Sequence, residues 1–591
     1  MKSFLKYTLA TIVGLIITSV IMLFLFFGVV GALVSSSTSN KQVAVLDNSI
    51  LVINLENEVV DRASENPMEN FNFKTFKPNP KAGLNNILLN IKNAKTDNKI
   101  KGIYLNMMSI QAGIASIEEI RNALVDFKKS GKFIVSYNDI YTQKAYYLIS
   151  VADKIYLNPQ GSIEWKGLGA EMMFFKGTLE KLGVEPQIIR HGKFKSAIEP
   201  YILDKMSDAN RQQTITYMGS IWNNMLSSIA ASRKLTIADL NMYADSMKIE
   251  DAKTALQYKM VDGLKYKDEI IDELKKLSGI KAKEDLKMIS IVDYTYSIEN
   301  TKKDEKDKPK IAVIFASGQI DMGEGDAKTI GSDGLSRTIR EARLDSTVKA
   351  IVLRVNSPGG SALASEVIWR EVVLAKQAKP VIVSMGDVAA SGGYYIASPA
   401  DVIVANPNTI TGSIGVFGVL WNSKKLINEK LGVTIDTVKT NAHSDIGSVF
   451  RPMTSSEQFI IQKSVENIYD VFISHVSDGR KMTKAQVDSI GQGRVWSGVN
   501  AKEIGLIDEL GGIEKAIEIA AQKAKLKNYT LVEFPKEKDF FQQFLKEAKG
   551  GFEMSIIENN LGDSYKYYQH VQKALKVSGI QARLPFEIDI H

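Results

Sequence analysis

The chain contains one sequence unit twice, so its fold must be built from two related halves. Residues 133–159 moved forward by 248 positions fall on residues 381–407, and 12 of the 27 positions are identical without a gap. The copies differ at one point in particular. The second copy reads SGG from Ser391, where the first reads QKA from Gln143.

A second pair of segments diverges in the same way. LGVEPQIIRHGKFKSA (182–197) matches LGVTIDTVKTNAHSDI (431–446) after one inserted residue, which places Lys195 opposite Ser444. One half therefore holds a candidate nucleophile and the other a candidate base. This is the pattern expected when a single active site is divided between duplicated halves.

Each copy alternates short apolar strands with helix-like stretches. SILVINLENEVVD (49–61) parallels PKIAVIFASGQID (309–321), and KGIYLNM (101–107) parallels KAIVLRVNS (349–357). Apolar strands that alternate with amphipathic helices predict parallel βαβ units in an α/β fold.

The composition along the chain suggests the domain boundaries. We predict an N-terminal repeat at 48–280 and a C-terminal repeat at 309–535, joined by a connector at 281–308 that is rich in Lys, Asp and Glu. A helical tail is predicted at 536–591. We expect this tail to pack on the body or on a neighbouring subunit, because it contains the aromatic residues Phe540, Phe541, Phe544, Tyr565, Tyr567 and Tyr568.

The N-terminus contains a long uncharged apolar run at 7–34. About 20 such residues are enough for a helix to cross a bilayer, and the run exceeds the apolar region of a cleavable signal peptide. Lys2 and Lys6 precede it, so the positive-inside rule places residues 1–6 in the cytoplasm and the bulk of the chain across the membrane. In a bacterium this predicts a single-pass inner-membrane protein with a periplasmic body. A cleaved signal peptide is the alternative.

The composition excludes several classes of chemistry. The absence of cysteine excludes disulfides, thiolate nucleophiles and cysteine–zinc sites. The five histidines include no HExxH pair, so a zincin-type metal site is not expected. The net charge of +7 arises from 74 basic and 67 acidic residues, a balance that does not indicate a nucleic-acid partner.

Ser391 is the candidate nucleophile. An apolar strand (381–385) leads through a Gly-Asp turn and small residues to Ser391, and GGYYIA then begins a helix. A serine at this position lies where free N–H groups favour negative charge, as in a strand–turn–helix nucleophile elbow. An ordinary N-cap serine is the alternative.

The segment RVNSPGGSA (354–362) contains candidate oxyanion donors. Two glycines can adopt conformations closed to other residues and direct N–H groups outward. Gly359 or Gly360 would then supply one donor of an oxyanion hole and Gly392 the second. A plain turn would explain the loop glycines equally well, but both glycine-rich features lie in the copy that has Ser391.

The general base is harder to assign. His191 and His443 lack an evident carboxylate to orient them in a Ser-His-Asp triad. A lysine can act instead if burial lowers its pKa, because only the neutral amine accepts a proton. The divergence of the repeats narrows the choice to KFKSAIEP (193–200), which leaves Lys193 and Lys195. A solvated surface lysine is the alternative for either.

These motifs resemble the signal peptide peptidase A (protease IV) family in its long two-repeat form. The motifs are FKSAIEP in the first repeat and NSPGGS, GDVAASGGYYIA and TGSIGVFG in the second. The resemblance covers almost the whole chain. It implies two tandem repeats of the Clp protease/crotonase fold and a Ser-Lys dyad, with no cofactor.

The resemblance also implies a role for each site residue. Ser391 would be the nucleophile, Lys195 rather than Lys193 the general base, and Ser413 the hydrogen-bond partner that orients the lysine. The oxyanion hole would be formed by Gly359, Gly360 and Gly392.

The implied substrates are the signal-peptide remnants left in the membrane after preprotein processing, and the implied assembly is a homotetramer. Two other functions fit the same residues. A crotonase-like acyl-CoA enzyme would use the glycine N–H groups on a thioester without a serine nucleophile. An inactive membrane scaffold would need neither Ser391 nor Lys195.

Overall fold

The structure is a computed structural model, and it describes residues 2–37, 44–64, 71–72, 77–78, 81–299, 308–326, 328–536 and 579–584. Helix α1 (Lys2–Ser37) contains the uncharged run at 7–34. Judged on the described residues, none of the helices has the length and apolar character that crossing a membrane requires.

The first repeat contains ten helices and eleven strands among its described residues. Its strands are β1 (Ser49–Ile53), β2 (Val59–Val60), β3 (Phe71–Asn72), β4 (Lys77–Pro78), β5 (Ala82–Gly83), β6 (Ile100–Leu105), β7 (Phe133–Tyr141), β8 (Lys154–Ile163), β9 (Glu185–Arg190), β10 (Gly263–Leu264) and β11 (Met288–Ser290). Its helices are α2 (Leu84–Thr96), α3 (Ile114–Lys128), α4 (Gln143–Ile149), α5 (Lys176–Leu182), α6 (Glu199–Ile202), α7 (Asp208–Arg233), α8 (Ile237–Asp245), α9 (Ala252–Gln257), α10 (Lys267–Ser278) and α11 (Ile291–Glu299).

The second repeat follows the same plan. Its strands are β12 (Lys310–Ser317), β13 (Gln319–Asp321), β14 (Thr329–Gly331), β15 (Val348–Ser357), β16 (Gly359–Ser361), β17 (Val381–Ala390), β18 (Val402–Ala405), β19 (Ile410–Gly412), β20 (Phe417–Asn422), β21 (Val495–Ser497), β22 (Glu509–Leu510), β23 (Thr530–Phe534) and β24 (Gly579–Arg583). Its helices are α12 (Ser332–Leu344), α13 (Ala362–Ala378), α14 (Gly392–Ala397), α15 (Ser455–Arg480), α16 (Lys484–Ile490), α17 (Gly498–Glu503) and α18 (Ile513–Lys523).

The two main sheets share one order in four neighbouring strands, β7-β6-β1-β11 in the first and β17-β15-β12-β23 in the second. The first runs β10-β8-β7-β6-β1-β11, and the second runs β21-β19-β17-β15-β12-β23, with β18 also paired to β17. All pairs in these sheets are parallel except β19 with β21. Parallel strands are buried on both faces, which explains their continuous apolar runs. Ile103 and Leu105 of β6 share one apolar core with Val352 of β15, so the predicted pair of α/β repeats is confirmed and the repeats pack together.

A third sheet joins the repeats and positions the site. Its order is β14-β13-β16-β24-β20-β9. Strand β9 belongs to the first repeat, yet it pairs antiparallel with β20 of the second, from Arg190 opposite Phe417 to Glu185 opposite Asn422. This pairing carries the residues that follow β9, including Lys195, onto the second repeat.

Buried charges also join the repeats. Arg354 of β15 is fully buried, and its Nε donates to Asp61 Oδ1 at 2.7 Å. Its Nη2 lies 2.7 Å from Glu119 Oε1 on α3. Nearby, Ser116 Oγ donates to Asp387 Oδ2 at 2.6 Å. Each contact pairs a residue of the first repeat with one of the second.

Two predicted segments differ from the structure. The segment expected as a connector contains β11, which pairs with β1, and α11. Ile289, Ile291 and Tyr294 are buried there, so apolar burial extends the first repeat beyond residue 280. In the tail, residues 579–583 form a strand rather than a helix, because two strands flank them. The rest of the tail beyond residue 536, including its six aromatic residues, lies outside the described residues except for Leu584.

Candidate active site

Ser391 occupies a strained turn between β17 and α14. Its φ is 54° and its ψ is −114°, and a positive φ in a non-glycine residue of this kind costs about 1–3 kcal/mol. Two backbone bonds hold the turn, from Ser391 N to Gly412 O at 2.8 Å and from Tyr395 N to Ser391 O at 2.8 Å. The side chain makes no helix-capping hydrogen bond. Its hydroxyl is therefore available to groups across the site.

Lys195 points at this hydroxyl from the first repeat. The lysine is fully buried, and its Nζ lies 2.8 Å from Ser391 Oγ, within hydrogen-bond distance. Burial holds the pKa of the Lys195 ammonium well below its usual range, because desolvation disfavours the charged form. Lys193, the other lysine considered, is exposed. The structure thus brings Lys195, and not Lys193, to Ser391.

Ser413 completes the surroundings of the amine. Lys195 Nζ also donates to Ser413 Oγ at 3.0 Å and to Ser413 O at 3.2 Å. Ser413 follows β19 with a φ of 49°, and its N–H donates to Arg494 O at 2.7 Å. Ser413 thus lies on one side of the Lys195 amine, and Ser391 lies on the other.

Two glycines let the lysine segment approach. Gly493 has a φ of 82°, and a Cβ added there would lie 2.6 Å from the Lys195 backbone. A Cβ at Gly415 would lie 3.3 Å from Lys195 Cδ. Phe194 N also donates to Gln492 O at 2.9 Å, which fixes the segment beside the 491–494 turn.

The predicted oxyanion glycines lie beside Ser391. Gly359 has a φ of 94°, and a Cβ added there would lie 2.6 Å from Gly392 N. The Gly359 N–H donates to Ser357 Oγ at 3.1 Å. The N–H group of Gly360, in contrast, does not donate to Ser357.

Similarity to known proteins places the chain in a family. The sequence model of peptidase family S49 matches residues 126–281 and 374–527. The chain belongs to peptidase family S49. The two matched ranges correspond to the two repeats, and the resemblance drawn from the motifs is confirmed.

Individual relatives agree with this assignment. The chain is 40% identical over 478 residues to Protease 4 of Salmonella typhi, covering 79% of this chain and 76% of that protein. It is 35% identical over 584 residues to Protease 4 of Haemophilus influenzae, covering 96% and 92%. It is 36% identical over 454 residues to the chloroplastic serine protease SPPA of Arabidopsis thaliana, covering 75% and 66%. The chain is therefore a serine peptidase.

The first repeat carries different residues at the positions of Ser391 and Ser413. Gln143 stands at the position of Ser391, and its Oε1 accepts bonds from Lys166 N at 3.1 Å and Gly167 N at 3.0 Å. Its Nε2 donates to Gly167 O at 3.1 Å. The buried Trp165 stands at the position of Ser413. Gln143 and Trp165 therefore take the positions that Ser391 and Ser413 have in the second repeat.

Sequence reasoning missed the residues that support the lysine. The buried Gln213 donates to Phe194 O at 3.1 Å and to Ser196 Oγ at 3.0 Å, and its Oε1 accepts from Val495 N at 3.1 Å. No motif distinguishes this glutamine on α7. Within the described residues, no group of three or more His, Asp or Glu side chains is arranged to hold a metal ion.

Proposed function

We propose that this S49 peptidase cleaves peptides with a dyad in which Ser391 is the nucleophile and Lys195 the general base. The observation that supports this most directly is the 2.8 Å contact between Lys195 Nζ and Ser391 Oγ, both in fully buried residues. A buried lysine with a lowered pKa is neutral over more of the pH range, and a neutral amine can take the serine proton.

Ser413 orients this amine for catalysis. A neutral amine has two hydrogens and one lone pair. If the two hydrogens are directed at Ser413 Oγ and Ser413 O, the lone pair is left facing Ser391. Ser391 Oγ–H then donates to Lys195 Nζ, which is the arrangement that proton abstraction needs.

The reaction proceeds in two halves. Ser391 Oγ bonds to the substrate carbonyl carbon while its proton passes to Lys195 Nζ. The C–N bond then breaks, and the Lys195 ammonium returns the proton to the leaving amine. Water hydrolyses the acyl-enzyme with Lys195 again accepting and returning a proton. The N–H groups of Gly392 and of the Gly359–Gly360 loop bind the oxyanion, and one such donor is typically worth about 10²–10³ in rate.

The physiological substrates are signal-peptide remnants in a bacterial inner membrane. Helix α1 anchors the chain in that membrane as a single span. The membrane anchor is supported by the uncharged run of α1 and by the exposure of its apolar side chains, including Leu9 at 63% and Ile16 at 58%. Residues 1–6 then lie in the cytoplasm and the body in the periplasm. Protease protection of the full chain in spheroplasts tests this topology, and digestion of the body from the cytoplasmic side alone would contradict it.

The repeats adopt the Clp protease/crotonase-like fold and assemble as a homotetramer. The repeated parallel sheets support the fold. Exposed apolar side chains between residues 431 and 460, among them Val438 and Phe459, support a subunit interface. Light scattering of the detergent-solubilised chain measures the assembly, and a monomer at all concentrations would contradict it.

Active-site labelling and peptide hydrolysis test the dyad. We expect Ser391→Ala and Lys195→Ala each to lower turnover by about 10⁴–10⁶-fold, while the exposed Lys193→Ala stays within about twofold of the wild type. A fluorophosphonate should label Ser391. Hydrolysis or hydration of an acyl-CoA by a chain that the probe does not label would favour the crotonase-like alternative, and a chain inactive in all assays would favour the scaffold.

A further inference from the structure

One buried side chain, Gln213 of α7, contacts both chain segments that meet at the Lys195 amine. Its Nε2 lies 3.1 Å from Phe194 O and 3.0 Å from Ser196 Oγ, which belong to the residues on either side of Lys195. Its Oε1 accepts from Val495 N at 3.1 Å. A single amide of the first repeat is thus bonded to the lysine segment and to a strand of the second repeat.

The strand that begins at Val495 leads directly to Ser413. The Ser413 N–H donates to Arg494 O at 2.7 Å, one residue before this strand, and β21 pairs with β19, which Ser413 follows. Lys195 Nζ in turn lies 3.0 Å from Ser413 Oγ. The contacts therefore form a closed path that runs from Gln213 through the start of β21 to Ser413, and from Ser413 through Lys195 back to Gln213.

The backbone of Lys195 depends on such contacts from other elements. Its φ of −74° and ψ of 81° belong neither to an α-helix nor to a β-strand. The preceding residue is held at both of its backbone polar groups, because Phe194 N donates to Gln492 O at 2.9 Å and Phe194 O accepts from Gln213. Gln213 thus supplies half of the hydrogen bonding that fixes Phe194.

Gln213 is itself held in place by a chain of buried groups. Its Nε2 lies 3.1 Å from Asn210 Oδ1, one turn earlier on α7, and Asn210 Nδ2 donates to Glu199 Oε2 at 2.9 Å. All three side chains are buried. The amide of Gln213 has two hydrogens for three acceptors, so its capacity as a donor is fully used. Buried networks of this kind are rigid because every member is bonded.

The charges packed around the lysine segment do not account for the state of the amine. Arg494 Cζ lies 4.9 Å and Lys193 Nζ 5.8 Å from the centre of the Phe194 ring, and Glu199 is bonded to α7. Burial is instead the cause of the lowered Lys195 pKa. A displacement that admits water to this amine therefore raises its pKa toward the ordinary value.

We propose that Gln213 is a positioning residue that holds the Lys195 amine against Ser413 and out of contact with water. This inference rests on the proposed function, in which Lys195 is the general base. Loss of the amide releases the lysine segment from β21, so that the amine is displaced and hydrated. Hydration favours the ammonium form, and the resulting loss of activity fades as the pH rises and the amine becomes neutral.

Peptide hydrolysis by the full chain over a pH series tests the proposal. Gln213→Met replaces the amide by an unbranched apolar side chain. We expect it to lower kcat/KM at pH 7 by about 10²-fold and to move the acidic limb of the pH profile upward by about one unit. Gln212→Met, at the exposed neighbouring residue of α7, is the control and should change neither quantity.

A second variant covers the case in which Gln213→Met does not fold. Gln213→Glu keeps an acceptor for the Val495 N–H but, when ionised, has no donor for Phe194 O, so we expect its acidic limb to move upward as well. A partly unfolded population would lower activity by one factor at every pH and leave the limb in place. An unmoved limb in the folded variants would therefore overturn the proposal.

A double-mutant cycle with Ser413→Ala tests the path to Ser413. Gln213→Met should cost less activity when Ser413 Oγ is already absent, because residues that act through one contact are not additive. Equal costs in both backgrounds would show that Gln213 does not act through Ser413.

The lysine variant separates this inference from the proposed function. If Lys195→Ala is inactive while the Gln213 variants match the wild type in rate and pH profile, the positioning role is wrong and the dyad stands. If Lys195→Ala hydrolyses the peptide at the wild-type rate, the proposed function itself is wrong.

Discussion

At the scale of single residues, the candidate site depends on Lys195, whose charged ammonium form is disfavoured by burial. Lys195 has no exposed surface, and desolvation is the cause of its lowered pKa. Unfolding exposes the side chain to water, which restores its ordinary preference for the ammonium form. The Lys195 amine therefore lowers the stability of the fold wherever the unfolded chain binds that proton and the folded chain does not.

Replacing the Lys195 amine by an apolar group should abolish activity and raise the free energy of unfolding. Because its folded pKa is depressed, Lys195 costs stability below the ordinary lysine pKa of about 10.4. We expect Lys195→Met to abolish hydrolysis and to raise the free energy of unfolding at pH 7, with a gain that shrinks as the pH rises toward that value. Denaturant midpoints at several pH values measure this effect. Lys193→Met is the control, and equal midpoints for Lys195→Met and wild type at every pH would contradict the prediction.

At the scale of elements, the approach of two turns decides where the lysine lies. The turn that contains Gly493 lies against the Lys195 backbone, where there is no space for a Cβ. The β9–β20 pairing delivers the segment, and the turn sets its final position.

A matched pair of glycine substitutions tests this contact. Gly493 and Gly432 both have a positive φ, of 82° and 68°, so alanine strains the backbone at either position. Only at Gly493 would the new Cβ meet Lys195, because nothing lies within 4 Å at Gly432. We expect Gly493→Ala to lower kcat by about 10²-fold, as misplacement by about 1 Å can, and Gly432→Ala to leave kcat unchanged. Equal kcat values for the two variants would show that the turn does not position the lysine.

The sequence predicts some elements better than others, for physical reasons. Strands β7 and β17 could be predicted because apolar runs are local signals and the repeat doubles them. The pairing of β9 with β20 and the insertion of β24 depend on contacts between segments more than 150 residues apart, which no local pattern encodes. Divergence between the repeats indicated Ser391 and the segment of Lys195. The family resemblance was needed to choose Lys195 over Lys193 and to find Ser413.

At the scale of the whole molecule, one buried cation holds the halves together. Arg354 lies between Asp61 and Glu119 of the other repeat, with no exposed surface. Desolvating three charges is costly, and mutual attraction offsets the cost only while all partners are present. The register of the two repeats, and with it the distance from Lys195 to Ser391, depends on this contact.

Removing the cation should therefore loosen the joint between the repeats. We expect Arg354→Met to lower the free energy of unfolding by about 3–5 kcal/mol, because Asp61 and Glu119 would stay buried without a counter-charge. The control is Arg337→Met, which breaks an ion pair with Glu324 in which both side chains are about half exposed, and it should cost no more than about 1 kcal/mol. Thermal and denaturant unfolding measure both variants. Equal losses would show that Arg354 is no more important than a surface pair.

Gln143, which stands at the position of Ser391, limits which single substitutions the first repeat tolerates. Gln143 satisfies three backbone groups of Lys166 and Gly167. A serine at residue 143 would be too short to reach them, and three part-buried hydrogen bonds, each worth about 0.5–1.5 kcal/mol net, would be lost. This single substitution would thus weaken the fold, and it would leave Ser413 without a counterpart, because Trp165 stands at that position. Gln143 stands opposite Ser391 and Ser444 opposite Lys195, so no single substitution gives each repeat its own serine and lysine.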